Sequence, residues 1–223
     1  MLMMVLSAIL AVAVAAPIAS GQTSSQGQNL GQLTADWWNW TTATSPSPSE
    51  GSYNGGPQCN GKYVKGVFFL SGAAFGSPPT VERTCTVPAN TPILFPVVNV
   101  ICGEVFGLAG QDPPDPQPYD TACATPATDD LIEPPSRTFA KIDGMDATQE
   151  RIASGLFQWT IRYDDNPFGL PTGTHPAASD GLWVYLENGL NKGQHTVQFG
   201  GTFKHTPFGD FEGTKVTYKL TAR

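Results

Sequence analysis

The stretch TKVTYKLTA, residues 214–222, decides the fold class. Val216, Tyr218 and Leu220 fall on one parity, and Thr217, Lys219 and Thr221 on the other. A period of two marks a strand with one buried and one wet face, because successive side chains leave the backbone on opposite sides. VERTCTV (81–87) repeats the pattern with Val81, Arg83, Cys85 and Val87 on one parity. YVKGVFFLSG (63–72) and GLWVYLEN (181–188) are apolar on both parities, as strands buried on two faces are. PILFPVVNVIC (92–102) carries Pro96, whose missing N–H implies an edge or a bulge. FAKIDG (139–144) and LFQWTIRY (156–163) are shorter candidates. HTVQFGGTF (195–203) holds a Gly-Gly, which implies a bulge or a close backbone approach. Eight strands with turn-rich connections predict an all-β chain built as a β-sandwich, with the jelly roll as one such arrangement. The sheet order is not legible.

Working outward, residues 1–21 contain no charged side chain and end in Ala19-Ser20-Gly21. This predicts a signal peptide cleaved near residue 21, although no Lys or Arg precedes the apolar run. An uncleaved anchor is the alternative, disfavoured by the alanine-rich run. Residues 22–29 read as a polar linker, and residues 30–223 as a single sandwich domain interrupted by a loop at 103–137 with seven prolines and no periodicity. Charged residues make up 14% of the chain and the net charge is −7, with no basic patch. Nucleic acid and anionic membrane surfaces are therefore excluded as expected partners. After signal cleavage no membrane span is expected, and the oligomeric state is not legible.

ADWWNW (35–40) places three tryptophans in four positions. At 100° per residue, Leu30, Leu33, Trp37 and Trp40 form one stripe, predicting a short helix from Leu30 to Thr41 docked on a sheet face. Trp38 flanks the stripe and is expected to stay partly exposed. The competing reading is an aromatic platform for sugar rings, with Trp38 as the ligand residue. Asn39-Trp40-Thr41 is an N-glycosylation sequon, meaningful in a eukaryotic host, and Asn39 is expected on the reachable side opposite the stripe.

Four cysteines behind a signal peptide predict two disulfides. Three pairings exist, and the nearest-neighbour one, Cys59–Cys85 with Cys102–Cys123, is preferred. The spacings contain no C-x-x-C, which argues against zinc.

WWNW, GVFFLSG, RTCTVPANTPILFPVVNVIC, AKIDG, DDNPFG, SDGLWVYLENGL and GQHTVQFGGTF occur in that order between Trp37 and Phe203, within a match that spans residues 36–221. Together they resemble a family of small, uncharacterised exported bacterial proteins with the patterns W-W-x-W, R-T-C-T-V-P and G-x-H-T-x-x-F-x-G. Asn90 stands where the family pattern has glycine, and Trp183 follows Leu182 instead of a tyrosine. The resemblance implies an exported domain of this size and brings no activity with it.

The remaining candidates each have two readings. Arg83 shares the parity of Val81, Cys85 and Val87: turned inward it needs a carboxylate or several carbonyls and serves either a structural ion pair or anion recognition, and on an edge strand it is exposed. Asn99 shares the parity of Ile93, Phe95, Val97 and Ile101, and is either a satisfied core amide or a ligand group. Asp164, Asp165 and Asn166, with Asp180, offer oxygen ligands for Ca²⁺, yet D-D-N-P is also ordinary turn chemistry. His195, ten residues from His205, is a candidate for a metal, acid–base or ligand site, and His175 is the third histidine. No H-E-x-x-H, G-x-S-x-G or P-loop is present. The expected function is an extracellular binding or surface-structural protein, with a glycan or cell-surface polymer as candidate ligand. The alternative is a secreted hydrolase or lyase acting on polysaccharide, which would need two carboxylates in one cleft.

Overall fold

The structure, a computed structural model, describes residues 29–43, 59, 61–73, 78–103, 137–163, 171–206 and 209–223. Among the described residues one helix precedes twelve strands. The helix is α1 (Leu30–Thr41); the strands are β1 (Gly61–Val64), β2 (Val67–Leu70), β3 (Thr80–Val87), β4 (Ile93–Gly103), β5 (Arg137–Ile142), β6 (Met145–Asp146), β7 (Glu150–Arg151), β8 (Phe157–Ile161), β9 (Gly173–Leu186), β10 (Gly193–Thr206), β11 (Gly209–Glu212) and β12 (Lys215–Ala222). The first sheet runs β1-β2-β4-β9-β7, with β8 also on β9. The second runs β3-β12-β10-β5-β6, with β11 also on β10. Each sheet holds one parallel pair, β2 with β4 and β3 with β12, in an otherwise antiparallel array. Among the described residues no helix is long and apolar enough to cross a membrane.

The two sheets pack face to face as the predicted all-β sandwich. Phe68, Leu70, Ile93, Phe95 and Val184 from the first meet Cys85, Val87, Val197, Phe199, Val216, Tyr218 and Leu220 from the second. The opposite face of the first sheet is buried as well. Val67, Phe69, Leu94, Trp159 and Trp183 pack there against Leu30, Leu33, Trp37, Trp38 and Trp40 of α1. The molecule is therefore three layers, helix on sheet on sheet, and this explains why β2 and the second half of β9 are apolar on both parities. The second sheet has one buried face, so β3 and β12 alternate along their length.

The helix matches its predicted bounds. Asn29 caps it, its side-chain oxygen accepting from Gln32 N at 3.1 Å. Trp38 departs from expectation. It is 4% exposed, against 3% for Trp37, because β8 and β9 curl around the helix and Trp159 meets Trp38 edge-on at 6.3 Å. Only the stripe Gln32, Asp36 and Asn39 escapes full burial within α1 between these aromatic turns.

Pro96 sits at a register shift in β4, between Pro96 and Val98, so the bulge reading holds on a strand that lies inside the sheet. The shift has a consequence that parity counting along 93–101 missed. Ile93 and Phe95 face the second sheet, whereas Ile101 faces the helix layer. Asn90, at the turn before β4, has φ +54°, a left-handed conformation that asparagine tolerates and that glycine would hold without strain. The single strand expected over 63–72 is instead two antiparallel strands, β1 and β2, joined by a turn at Lys65-Gly66; β6, β7 and β11 were not predicted, and β9 begins at Gly173, well before the apolar run that betrays it.

Candidate binding groove

The solvent face of the second sheet carries a groove of about 450 Å³, lined by Pro79, Arg137, Thr138, Phe139, Gly201, Thr202, Glu212, Gly213 and Lys215. Its floor follows from the Gly-Gly of β10. Gly200 pairs with Phe139 of β5, and a Cβ at Gly200 would lie 3.2 Å from Phe139 Cε1 and 3.0 Å from Thr214 O. A Cβ at Gly201 would lie 2.8 Å from Arg137 O. Glycine is thus required for the backbones to close and for the Phe139 ring to lie beside β10. Phe139 has the opposite parity to Ala140, which is in the inter-sheet core, so its half-buried ring belongs to the outer face.

Across the same face Thr202 pairs with Arg137 on one side and Glu212 on the other. Thr202 Oγ1 donates to Glu212 Oε2 at 2.8 Å, which fixes that carboxylate. Lys215 opens β12 next to Gly200, its Cα 3.3 Å from where a Gly200 side chain would begin. Arg137 and Lys215 are exposed, and neither makes an ion pair among the described residues, whereas Lys65, Lys141, Arg151, Lys204 and Lys219 all do. The groove combines an aromatic ring, a glycine floor, two unpaired cations and one oriented carboxylate. Such a set can stack a sugar ring and hydrogen-bond its hydroxyls.

The residues singled out from the sequence lie elsewhere and do not converge. Trp38 is enclosed in the helix layer. Arg83 is 1% exposed between the sheets. Its Nη1 donates to Ser71 O at 3.1 Å, Ser71 Oγ at 3.1 Å, Gly72 O at 2.9 Å and Tyr218 Oη at 2.8 Å. The guanidinium also lies 5.4 Å from the Tyr218 ring centre. Two carbonyls and two hydroxyls, not a carboxylate, surround Nη1 among the described residues, while Nε and Nη2 have no hydrogen-bond partner there. Burial pushes the Tyr218 phenol above its ordinary pKa, with the charge of Arg83 and the hydrogen bonds to Ser71 and Arg83 opposing. Asn99 is half-buried opposite Gly181, and its Nδ2 lacks a hydrogen-bond partner among the described residues, so it is not a satisfied core amide.

His195 is clamped at both nitrogens: Nδ1 to Asp143 Oδ2 at 2.7 Å and Nε2 to Asn191 O at 2.8 Å. Two acceptors favour the doubly protonated ring. The hydrogen bond to Asp143, helped by Asn191 O and the carboxylate charge, raises the His195 pKa above the ordinary 6.5 against opposing desolvation. For Asp143, burial acts upward but is outweighed by the hydrogen bonds from His195 and Thr196 N and by the imidazolium charge, so its pKa is lowered. Asp143 stands at φ +51° in the two-residue turn joining β5 to β6. The pair therefore ties that turn to β10. His175 Nε2 lies 3.0 Å from Pro171 O, and the His205 side chain is outside the described residues.

Asp180 is buried and held by Arg151, with Oδ2 accepting from Nη2 at 2.7 Å and Nε at 3.0 Å, while Oδ1 accepts from Gly181 N. Its oxygens are occupied by the protein; Asp164, Asp165 and Asn166 lie outside the described residues. Among the described residues no group of three or more His, Cys, Asp or Glu is placed to hold a metal ion. Cys59 and Cys85 form the predicted disulfide, with Cα atoms 4.8 Å apart. The Cys102 side chain and Cys123 are outside the described residues, as are the signal-peptide segment, the polar linker up to residue 28 and loop residues 104–136.

Asn39 is not left reachable as expected. Its Nδ2 donates to Gln158 O at 3.0 Å and its Oδ1 accepts from Thr160 N at 2.9 Å. The carboxamide thus copies a backbone peptide group along the outer edge of β8, and its nitrogen is committed to that contact.

The groove residues Arg137, Phe139, Thr202, Glu212 and Lys215 were missed in the sequence. One signal pointed there, the Gly200-Gly201 pair, but nothing local tells which strands flank it. Family models, curated proteins and solved structures contain no match to this chain.

Proposed function

We propose that this chain is an exported, disulfide-stabilised β-sandwich that binds a glycan or cell-surface polymer outside the cell, using the groove on its second sheet. The observation that carries this reading is the Phe139 ring held beside a glycine floor and flanked by Arg137, Thr202, Glu212 and Lys215. Aromatic rings match the C–H faces of pyranoses, and side chains fixed by strands supply the hydrogen bonds that orient them. Glu212 is the single carboxylate among the described lining residues, while glycoside cleavage uses a pair. Binding is therefore favoured over hydrolysis. The disulfide Cys59–Cys85 supports an oxidising compartment.

We also propose membership of the exported family that the sequence resembles. In support, its motif residues have clear work in this fold: Trp37, Trp38 and Trp40 fill the helix layer, Arg83 and Cys85 stitch β3 to the loops around it, and Phe199 fills the inter-sheet core.

The test is a glycan array probed with the mature chain, with and without Ca²⁺, beside a Phe139→Ala variant. Binding that is lost in Phe139→Ala and unaffected by Ca²⁺ supports the groove. Absence of any bound glycan, or full binding by the variant, refutes it. N-terminal sequencing of protein recovered from the medium should begin near Gln22; intact Met1 in a membrane fraction would refute export.

A further inference from the structure

We infer that the groove selects an anionic sugar unit, one bearing a carboxylate or a sulfate ester, over a neutral one. This rests on the glycan reading above and adds the substrate class. The chain is acidic overall, with 12 Lys and Arg against 19 Asp and Glu. Several cations are already paired: Lys65, in the turn between β1 and β2, with Asp36, and on the strands Lys141 with Asp146, Lys204 with Asp210 and Lys219 with Glu82. Among the exposed cations on strands, Arg137, Lys215 and Lys62 have no ion pair among the described residues, and Arg137 and Lys215 line the groove.

Their placement is fixed by strands, not by loops. Arg137 opens β5 opposite Thr202, and Lys215 opens β12, its backbone N–H donating to Pro79 O at 2.9 Å. The one nearby carboxylate, Glu212, is oriented by the Thr202 hydroxyl, on the β11 side of the row. It is positioned to accept from a sugar hydroxyl. Arg137 offers a planar fork that matches a carboxylate or sulfate through two parallel hydrogen bonds, and Lys215 adds a point charge. Between them the glycine floor leaves room for a ring against Phe139. With a neutral sugar, Glu212 is the one carboxylate of the described lining to set against two cations, whereas an acidic sugar supplies the second negative charge.

The experiment measures binding of the full mature chain to polygalacturonate, dextran sulfate and unmodified dextran by isothermal titration calorimetry, at 50 and 500 mM NaCl. Expected is binding to one or both acidic polymers, at least tenfold tighter than to dextran and weakened at high salt, since exposed charges are screened within a Debye length of about 10 Å at 0.1 M. Polygalacturonate and dextran sulfate separate the carboxylate from the sulfate source. Arg137→Gln and Lys215→Gln should each weaken acidic-polymer binding about tenfold, as loss of a hydrogen bond to a charged group does. Lys62→Gln, an exposed cation on β1 away from the groove, should leave affinity unchanged. All three positions are at the surface, so an unchanged melting temperature verifies that each variant is folded. Equal, salt-insensitive binding of dextran that depends on Phe139 would overturn the anionic preference while leaving the glycan reading standing. No binding to any of the three, together with an empty glycan array, would overturn both.

Discussion

Truncating Trp37 to alanine tests the helix layer most directly. The side chain is 3% exposed and lies edge-on to Trp38 at 5.3 Å, to Trp183 at 5.3 Å and to Trp40 at 6.2 Å. Its Nε1 donates to Leu70 O at 2.8 Å, so it both fills space and closes a hydrogen bond at the end of β2. Trp→Ala removes roughly 150 Å² of buried surface, or about 4 kcal/mol at 25 cal/mol per Å². The orphaned Leu70 carbonyl adds about 1 kcal/mol. The expected loss is therefore about 5 kcal/mol, at the top of the range for large-to-small core changes. With a urea m-value of about 2 kcal/mol per M, the midpoint should fall by about 2.5 M. Trp37→Phe keeps most of the ring and loses the hydrogen bond, so about 2 kcal/mol is expected and the variant stays folded. Trp38→Ala should also cost about 3–5 kcal/mol, because Trp38 is 4% exposed, although it lies off the stripe formed by Leu30, Leu33, Trp37 and Trp40. Far-UV circular dichroism should be the readout, since the substitutions change the fluorescence itself. A Trp37→Ala protein within about 1 kcal/mol of the parent would refute the claim that α1 is an integral layer.

Three further outcomes are expected. Replacing Cys59 and Cys85 by serine opens a link between residues 26 apart in sequence, and should cost about 3.5 kcal/mol in the chain-entropy model, read as a lower urea midpoint; an unchanged midpoint would show that the bridge does not constrain the unfolded chain. Tyr218→Phe removes the hydroxyl that donates to Ser71 O and accepts from Arg83, and should cost about 2 kcal/mol by the same assay, with a neutral result arguing that Arg83 is held by the Ser71 and Gly72 oxygens alone. The His195–Asp143 clamp should make stability pH-dependent: the raised His195 pKa gives stabilisation that is complete below pH 6.5 and lost as pH rises through the folded value, while the lowered Asp143 pKa gives stabilisation present above 3.8 and lost as pH falls below it. The melting temperature of His195→Gln should therefore fall below the parent's by more at pH 5.5 than at pH 8.5, and an equal gap at both would refute the charged clamp.

Much of the fold was legible because it rests on local periodicity. The alternation of Val216, Tyr218 and Leu220 marks a strand wet on one side, and the two-parity runs at 67–70 and 181–186 mark strands buried on both. The 3.6-residue stripe and the Asn29 cap delimit α1. These patterns depend only on side-chain direction along one segment, so a single chain reveals them. The Cys59–Cys85 bridge followed from short loop length between neighbours. Sheet order, the parallel pairing of β3 with β12, the split of 63–72 into β1 and β2, and the short strands β6, β7 and β11 were not legible, because pairing joins segments far apart and leaves no mark on either one.

The site residues divide along the same line. Its parity with Val81 and Cys85 put Arg83 on the apolar side of β3; that it is buried there, on an edge strand, and what receives its charge were decided by Ser71, Gly72 and Tyr218, the last 135 residues away. The apolar stripe of α1 was set by sequence, but the burial of Trp38 and the engagement of Asn39 depend on β8 wrapping around the helix. Gly200 and Gly201 announced a close approach; that β5, β11 and β12 bring Phe139, Glu212 and Lys215 to it is a property of the assembled sheet. Sequence alone therefore determined which face is apolar in the regular elements α1, β3 and β12, since that is a matter of residue type at a given period, but not in β4, where the bulge at Pro96 reverses the faces. Only the tertiary structure decided which faces meet, because packing is chosen by shape and hydrogen-bond closure over the whole chain, and the groove exists where two glycines let three strands approach.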